Sequence, residues 1–162
     1  MGEAVSKKGE QPSVDETNFE TLNGFTGYHL KRATNLMMSD LNATLKPFEL
    51  RLLSYTALVL IVDNPRIRMS QLAAAMDVER PNMVVIVDAL ESRELISRQR
   101  FETDRRAYAL SITLAGRRLY EKATVAVRAH EERLTRQLDT QTREKVIEAM
   151  KLIQKIRGVA HT

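Results

Sequence analysis

The sequence predicts a mainly α-helical protein that carries one small β-hairpin. Apolar residues recur at helical spacing along most of the 162-residue chain, and the spacing changes to strict alternation at 108–112. The chain has about the length of one domain, and 43% of its residues are hydrophobic. That is enough for a core without disulfides or a structural metal. We therefore expect one helical domain with a local β-structure.

Two helices are predicted in the N-terminal part of the chain. The first covers 19–45, with an interruption near Gly24 and Gly27, and the second covers 48–62. Pro47 separates them, because proline cannot continue a helix interior. The second helix is apolar on several faces, so we expect it to be the most buried.

A short strand over 66–69 and two helices separated by a tight turn are predicted next. Ser70 is the expected N-cap of a short helix over 71–76. Pro81 suits the first position of the second helix, where its missing N–H costs nothing. That helix extends to about Arg93, and its inward face is expected to consist of Met83, Ile86, Val87 and Leu90.

A charged hairpin is predicted after these helices. Its strands cover 96–100 and 108–112, and the polar segment 101–106 forms the tip. The elements over 68–113 therefore have the order of a helix-turn-helix followed by a wing. Thr113 is the expected N-cap of a long helix. The C-terminal helices are expected over 114–138 and 141–156.

The positive charge of the chain is concentrated in one segment. The net charge is +4, from 25 Lys and Arg against 21 Asp and Glu, and seven arginines with three acidic residues lie within 93–118. Because the rest of the chain is neutral, this segment indicates a nucleic-acid surface. Arg117 and Arg118 begin the long helix, where the helix dipole disfavours cations. Nearby phosphates and an ion pair with Glu121 or Glu91 are both open explanations.

The composition argues against an enzyme or a metal site. The chain has no cysteine, which excludes disulfides, thiolate zinc sites and a catalytic thiol. Its three histidines are isolated from one another and from clustered carboxylates, so no metal site is expected. Nothing in the sequence places a nucleophile beside a base, so we expect neither an enzyme nor a cofactor.

No segment predicts a membrane association. The longest apolar run, 57–62, is far shorter than the roughly 18 residues that would span a bilayer. Residues 1–18 are polar and lack periodicity, so we expect a flexible tail and not a signal peptide. A cytoplasmic protein is expected.

Residues 69–116 resemble the MarR (multiple antibiotic resistance regulator) family of winged helix-turn-helix transcription factors. The stretch is MSQLAAAMDVERPNMVVIVDALESRELISRQRFETDRRAYALSITLAG, and its most specific part is Asp104-Arg105-Arg106, followed by Leu110, Thr113 and Gly116. A looser resemblance extends over 19–158.

The resemblance implies a homodimeric transcriptional regulator. N- and C-terminal helices would form the dimer interface, and two winged lobes would bind pseudo-palindromic duplex DNA as a repressor that a small ligand releases. On this pattern, 19–162 is a single domain, 19–47 and 114–158 are dimerisation helices, and 48–113 is the DNA-binding lobe.

The sequence departs from the family pattern at three places. A glycine usual in the turn is Asp77, which can still adopt left-handed geometry, and a glycine usual after the second helix is Glu94, a less favourable replacement. Val84 and Val85 stand where residues that hydrogen-bond to bases are frequent, and valine contacts only thymine methyls. Specificity is therefore expected largely from Arg80, Asn82, Asp88, the wing and DNA shape.

The residues expected to contact DNA lie on the helix-turn-helix and the hairpin. The second helix suits the major groove, and arginines at a hairpin tip suit a narrow minor groove. Arg98 and Arg100 are expected to contact phosphates, with solvated strand residues as the alternative. The predicted set is Ser70, Arg80, Pro81, Asn82, Val84, Val85, Asp88, Arg98, Arg100, Asp104, Arg105 and Arg106.

Tyr28, His29 and Arg32 are candidates for binding a small effector. Arg32 follows Tyr28 by four residues on one helical face, and an arginine beside an aromatic ring suits an aromatic carboxylate or a phosphate. The segment GYHLKRA is similar to a MarR subgroup that senses hydroxycinnamoyl-CoA thioesters or related aromatic acids. Tyr55 is a further candidate for the same crevice. The alternative is that Arg32 makes a structural ion pair in an interface helix.

Two functions remain open at this point. The first is a DNA-binding regulator, and the basic hairpin favours it. The alternative is a dimeric helical module that binds another protein without binding DNA.

Overall fold

The computed structural model describes residues 17–100 and 108–156. The helices are α1 (Glu20–Asn23), α2 (Thr26–Leu45), α3 (Leu52–Asp63), α4 (Met69–Ala75), α5 (Arg80–Ser92), α6 (Leu114–Thr135) and α7 (Thr140–Ile156). The strands are β1 (Ile67–Arg68), β2 (Ile96–Arg100) and β3 (Tyr108–Ile112). The mainly helical class with a small hairpin is confirmed.

The chain divides into two compact units, residues 1–36 and 37–162. In the first unit, the predicted interruption of the helix is confirmed at Gly24. The N–H of Gly24 donates to the Thr21 carbonyl and that of Phe25 to the Leu22 carbonyl, which ends α1 in a tight turn. Gly27 instead lies inside α2.

The predicted start of the second helix at Phe48 is wrong. Lys46–Phe48 form a single 3-10 turn, and α3 begins at Leu52. Glu49 adopts a left-handed conformation with φ of 53°, so the backbone changes direction there and cannot continue as a helix.

The expectation that Ser70 is the N-cap of the short helix is wrong. Arg68 is the N-cap of α4, and its backbone N–H donates to Gln71 Oε1 at 3.0 Å. The helix begins one residue before Ser70 because β1 ends at Arg68 and passes directly into α4.

The sheet has the order β1–β3–β2 and is antiparallel throughout. Ile67 lies opposite Leu110, and Arg100 lies opposite Tyr108. The two paired strands of the predicted hairpin and the short strand β1 are therefore confirmed, and β3 pairs with both β1 and β2.

The core of the second unit lies between α3, α5 and β3. Three residues of the predicted inward face of α5, Met83, Val87 and Leu90, are buried, and Ile86 is partly buried. The α3 residues in the core are Ala57, Leu58 and Ile61. In the described ranges, no helix is both long and apolar enough to cross a membrane. Burial of one α5 face leaves the opposite face exposed.

Candidate nucleic-acid interface

The turn before α5 depends on a left-handed residue. Asp77 has φ of 50°, and its N–H donates to the Ala74 carbonyl while that of Val78 donates to Ala73. The expectation that aspartate adopts the geometry usually taken by glycine is confirmed. The turn allows Pro81 to occupy the first turn of α5.

The C-terminus of α5 has a second left-handed residue, Glu94, with φ of 56°. The N–H of Leu95 donates to the Leu90 carbonyl at 3.0 Å, which closes the helix end. Glu94 therefore carries a side chain at a position where glycine is free of strain.

The exposed face of α5 carries most of the predicted base-contacting residues. Val85 is 67% exposed, and Val84 is half-buried. The exposed polar members of the set are Arg80, Asn82 and Asp88, next to the exposed Pro81, and Ser70 is exposed on α4. This face combines an apolar contact surface with hydrogen-bonding groups.

Arg98 is bound within the protein. Its Nη2 donates to the carboxylate of Asp88, and its Nε lies 2.8 Å from Glu91 Oε2. Both carboxylates belong to α5, so the pair of contacts joins the hairpin to the helix. The phosphate contact of Arg98 stays a prediction, and the structure adds two intramolecular partners that the sequence did not identify.

Arg100 is exposed at the end of β2. Its guanidinium carbon lies 5.8 Å from the ring centroid of Tyr108 on the paired strand, a cation–π distance. The contact holds the Arg100 guanidinium against the paired strand β3. The predicted tip residues Asp104, Arg105 and Arg106 lie outside the described residues.

Arg93 has a structural role that the sequence does not indicate. Its two terminal nitrogens donate to the carbonyls of Glu49 at 2.6 Å and Phe48 at 3.1 Å, and the Glu49 carboxylate lies 3.6 Å away. The arginine thus ties the end of α5 to the turn before α3. Nothing local in the sequence indicates these partners, because they are more than forty residues away.

The start of α6 is anchored next to the end of α5. Thr113 is the N-cap as predicted, since its Oγ1 accepts from the Gly116 N–H at 3.0 Å. The same hydroxyl donates to the Glu94 carbonyl at 2.6 Å. Arg117 and Arg118 are exposed in the first turn of α6 and have no carboxylate within 4 Å in the described part of the chain. The ion pair with Glu121 or Glu91 is therefore not formed.

In the first unit, the structure brings together the three effector candidates of α2. Arg32 Nη1 donates to the Tyr28 hydroxyl at 3.1 Å, with the guanidinium 5.7 Å from the ring centroid. Tyr28 also stacks on Phe19, and His29 Nε2 lies 3.0 Å from the Asn23 carbonyl oxygen. Arg32 is thus held against an aromatic ring while it stays exposed.

Tyr55 belongs to the second unit, where its hydroxyl lies 3.2 Å from Thr124 Oγ1 of α6. Its place in an effector crevice stays a prediction. His130 of α6, which the sequence showed only as an isolated histidine, is 2% exposed, with Nε2 3.4 Å from Asp40 Oδ2. Arg133 contacts the same carboxylate. The described residues contain no group of three or more His, Asp or Glu placed to hold a metal ion.

Comparison with known proteins places this geometry among transcription regulators. Residues 50–108 match the sequence model of the MarR family. A putative transcriptional regulatory protein for the hcr operon of Thauera aromatica is 31% identical over 132 residues, which are 81% of this chain and 80% of that protein.

Two solved structures of the repressor CouR are also similar. CouR bound to a 23-mer DNA duplex is 32% identical with a TM-score of 0.82, over 86% of this chain and 99% of that one. CouR from Rhodococcus jostii RHA1 bound to p-coumaroyl-CoA is 28% identical with a TM-score of 0.76, over 83% and 94% of the two chains.

Proposed function

The chain belongs to the MarR family of DNA-binding transcriptional regulators, and we propose that it is a homodimeric repressor that an aromatic acid or its CoA thioester releases from its operator. In each protomer, α5 enters a major groove and the hairpin tip enters the flanking minor groove. Because its operator would lie on the chromosome, we place the site of action of this repressor in the cytoplasm.

The observation that carries the DNA-binding part is the exposed face of α5 beside the arginine-bearing hairpin. Val85 is exposed at the centre of this face, and Arg80 and Asn82 supply hydrogen-bonding groups near the helix start. CouR, which is similar over most of the chain, has been solved on duplex DNA. Asp104, Arg105 and Arg106 complete the proposed surface.

A second copy of the chain is the partner that α7 requires. In the described part of the chain, Val146, Ile147, Leu152 and Ile153 of α7 are exposed. Val146 and Ile153 are seven residues apart and lie on one side of the helix, and exposed apolar side chains gathered on one helix indicate a protein interface. A two-fold dimer presents two copies of α5, so the operator is an inverted repeat with half-sites about one helical turn apart.

The effector part of the proposal is supported by Arg32 and Tyr28. The guanidinium offers two donors to a carboxylate or a phosphate, and the ring offers an apolar surface to an aromatic group. CouR, a relative at 28% identity, has been solved with p-coumaroyl-CoA. The two α5 helices of the dimer must be spaced to match the two operator half-sites. A ligand that binds more tightly to a dimer with a different α5 spacing lowers the DNA affinity, to the extent that it prefers that state.

A gel shift with the promoter fragment upstream of the gene, at low and moderate salt, tests DNA binding. The expected result is a retarded dimer complex that weakens steeply as salt rises, because phosphate contacts release counterions. A dimer in sedimentation with no shift at low salt would support the protein-binding module instead.

A further inference from the structure

Arg98 joins the hairpin to one side of α5 through two carboxylates. Asp88 and Glu91 are three residues apart on α5 and therefore lie on the same side of the helix. Arg98 Nη2 contacts Asp88, and Nε lies 2.8 Å from Glu91. A guanidinium is planar with donors in fixed directions, so the Nη2 hydrogen bond to Asp88 is directional, whereas Nε makes an ion pair with Glu91 without a hydrogen bond. Together the two contacts restrain the rotation of α5 against β2.

The exposure of the three side chains differs. Arg98 is 19% exposed, whereas Asp88 is 56% and Glu91 is 42% exposed. The Arg98 guanidinium is thus largely buried against α5, and the carboxylates of Asp88 and Glu91 lie near the surface proposed to face DNA. Uncompensated carboxylates there would repel phosphates, and Arg98 cancels one of the two charges.

We propose that Arg98 is a positioning residue for operator binding, which acts through Asp88 and Glu91 and does not itself neutralise a phosphate. The inference rests on the proposed function, in which α5 and the hairpin contact the operator. It replaces the phosphate contact expected from the sequence with a contact inside the protein. Its consequence is that the effect of Arg98 on DNA binding disappears when the two carboxylates are absent.

A mutant cycle on the full-length dimer tests this inference. Operator affinity is measured by fluorescence anisotropy for the wild type, R98Q, the D88N/E91Q variant and the R98Q/D88N/E91Q variant. R98Q should lower affinity about tenfold in the wild-type background, within the range of a lost base contact. In the D88N/E91Q background, R98Q should lower affinity by less than about twofold.

Equal losses in both backgrounds would assign Arg98 to a phosphate and overturn the inference, and so would the absence of a loss in the wild-type background. R100Q is the matched control, because Arg100 is on the same strand with no carboxylate within 4 Å in the described ranges. Its effect should be the same in both backgrounds.

Thermal unfolding of each variant shows whether a loss of affinity comes from an unfolded protein or from a folded protein in which α5 is wrongly oriented. Should R98Q fail to fold, R98K enters the same cycle, because lysine keeps the charge but loses the two-carboxylate geometry. R98K should also cost affinity in the wild-type background alone. A wild-type dimer that binds no operator at any salt concentration would remove the proposed function, and the inference with it.

Discussion

A Cβ atom on Gly116 would lie 1.9 Å from the carbonyl oxygen of Leu95. The first turn of α6 therefore packs directly on the backbone that links α5 to β2. Thr113 reinforces the contact, since its N–H donates to the same carbonyl at 3.1 Å. The start of α6, a helix expected to take part in dimerisation, and the end of α5, the helix proposed for DNA contact, thus meet at one closely packed junction.

Gly116→Ala should destabilise the protein, because the added methyl group meets backbone that cannot move aside. We expect a loss of about 1 to 3 kcal/mol in the free energy of unfolding, measured by urea denaturation. Gly27→Ala is the matched control, since nothing lies within 4 Å of a Cβ at Gly27. Equal stability of Gly116→Ala and wild type would show that this junction is loose.

Glu94→Gly should raise stability, because glycine adopts a positive φ without the strain of a Cβ atom. The gain should be about 0.5 kcal/mol, since the greater freedom of glycine in the unfolded chain offsets part of the relief. Thermal unfolding checks this. Glu94→Ala keeps the Cβ and should show no gain, so a similar gain in both variants would contradict the strain explanation.

Arg106→Ala should lower DNA affinity and reduce the slope of log affinity against log salt by about 1 if the hairpin tip contacts DNA. Arg128→Ala, which removes an exposed arginine of α6, should leave the slope unchanged. Affinities are measured by anisotropy over a salt titration. Wild-type affinity for Arg106→Ala at every salt concentration would exclude the hairpin tip from the interface.

Arg32→Ala should abolish stabilisation by an aromatic acid or its CoA thioester while leaving operator binding intact. Screening by thermal shift with p-coumarate and p-coumaroyl-CoA identifies a binder, and release of operator by that binder is then measured. Lys31→Ala, at the exposed neighbouring position, should respond like the wild type. Full release of DNA from Arg32→Ala would place the effector elsewhere.

The N-terminus of α7 should be sensitive to acid through Asp139. The backbone N–H of Thr142 donates to the Asp139 carboxylate at 2.7 Å and lowers its pKa below the ordinary value of 3.8. Because the pKa is lower in the folded state, the stabilisation is present above the ordinary value and is lost as pH falls through the lowered one.

Asp139→Ala should therefore be less stable than the wild type at neutral pH, and the two unfolding curves should converge in strong acid. Thermal unfolding followed by circular dichroism from neutral to acid pH measures the difference. A difference between the two proteins that is constant over the whole range would mean that the carboxylate charge does not support this cap.

The local patterns of the sequence predict a large part of the fold. Alternation at 108–112 predicts β3, and Thr113 predicts the start of α6. Strand alternation and helix capping depend on neighbours a few residues away, so the sequence carries them directly. The resemblance to the MarR family, and not a local pattern, points to glycine positions at Asp77 and Glu94, and both have positive φ.

The sequence by itself determined the order of the elements and which side of α5 is buried, because periodicity records which residues face inward. Only the tertiary structure decided which cations are available at the surface. Arg98 is bound to Asp88 ten residues earlier, and Arg93 is bound to backbone more than forty residues earlier. The physical reason is that an arginine's partner depends on how separate elements pack against each other, and no local spacing specifies that.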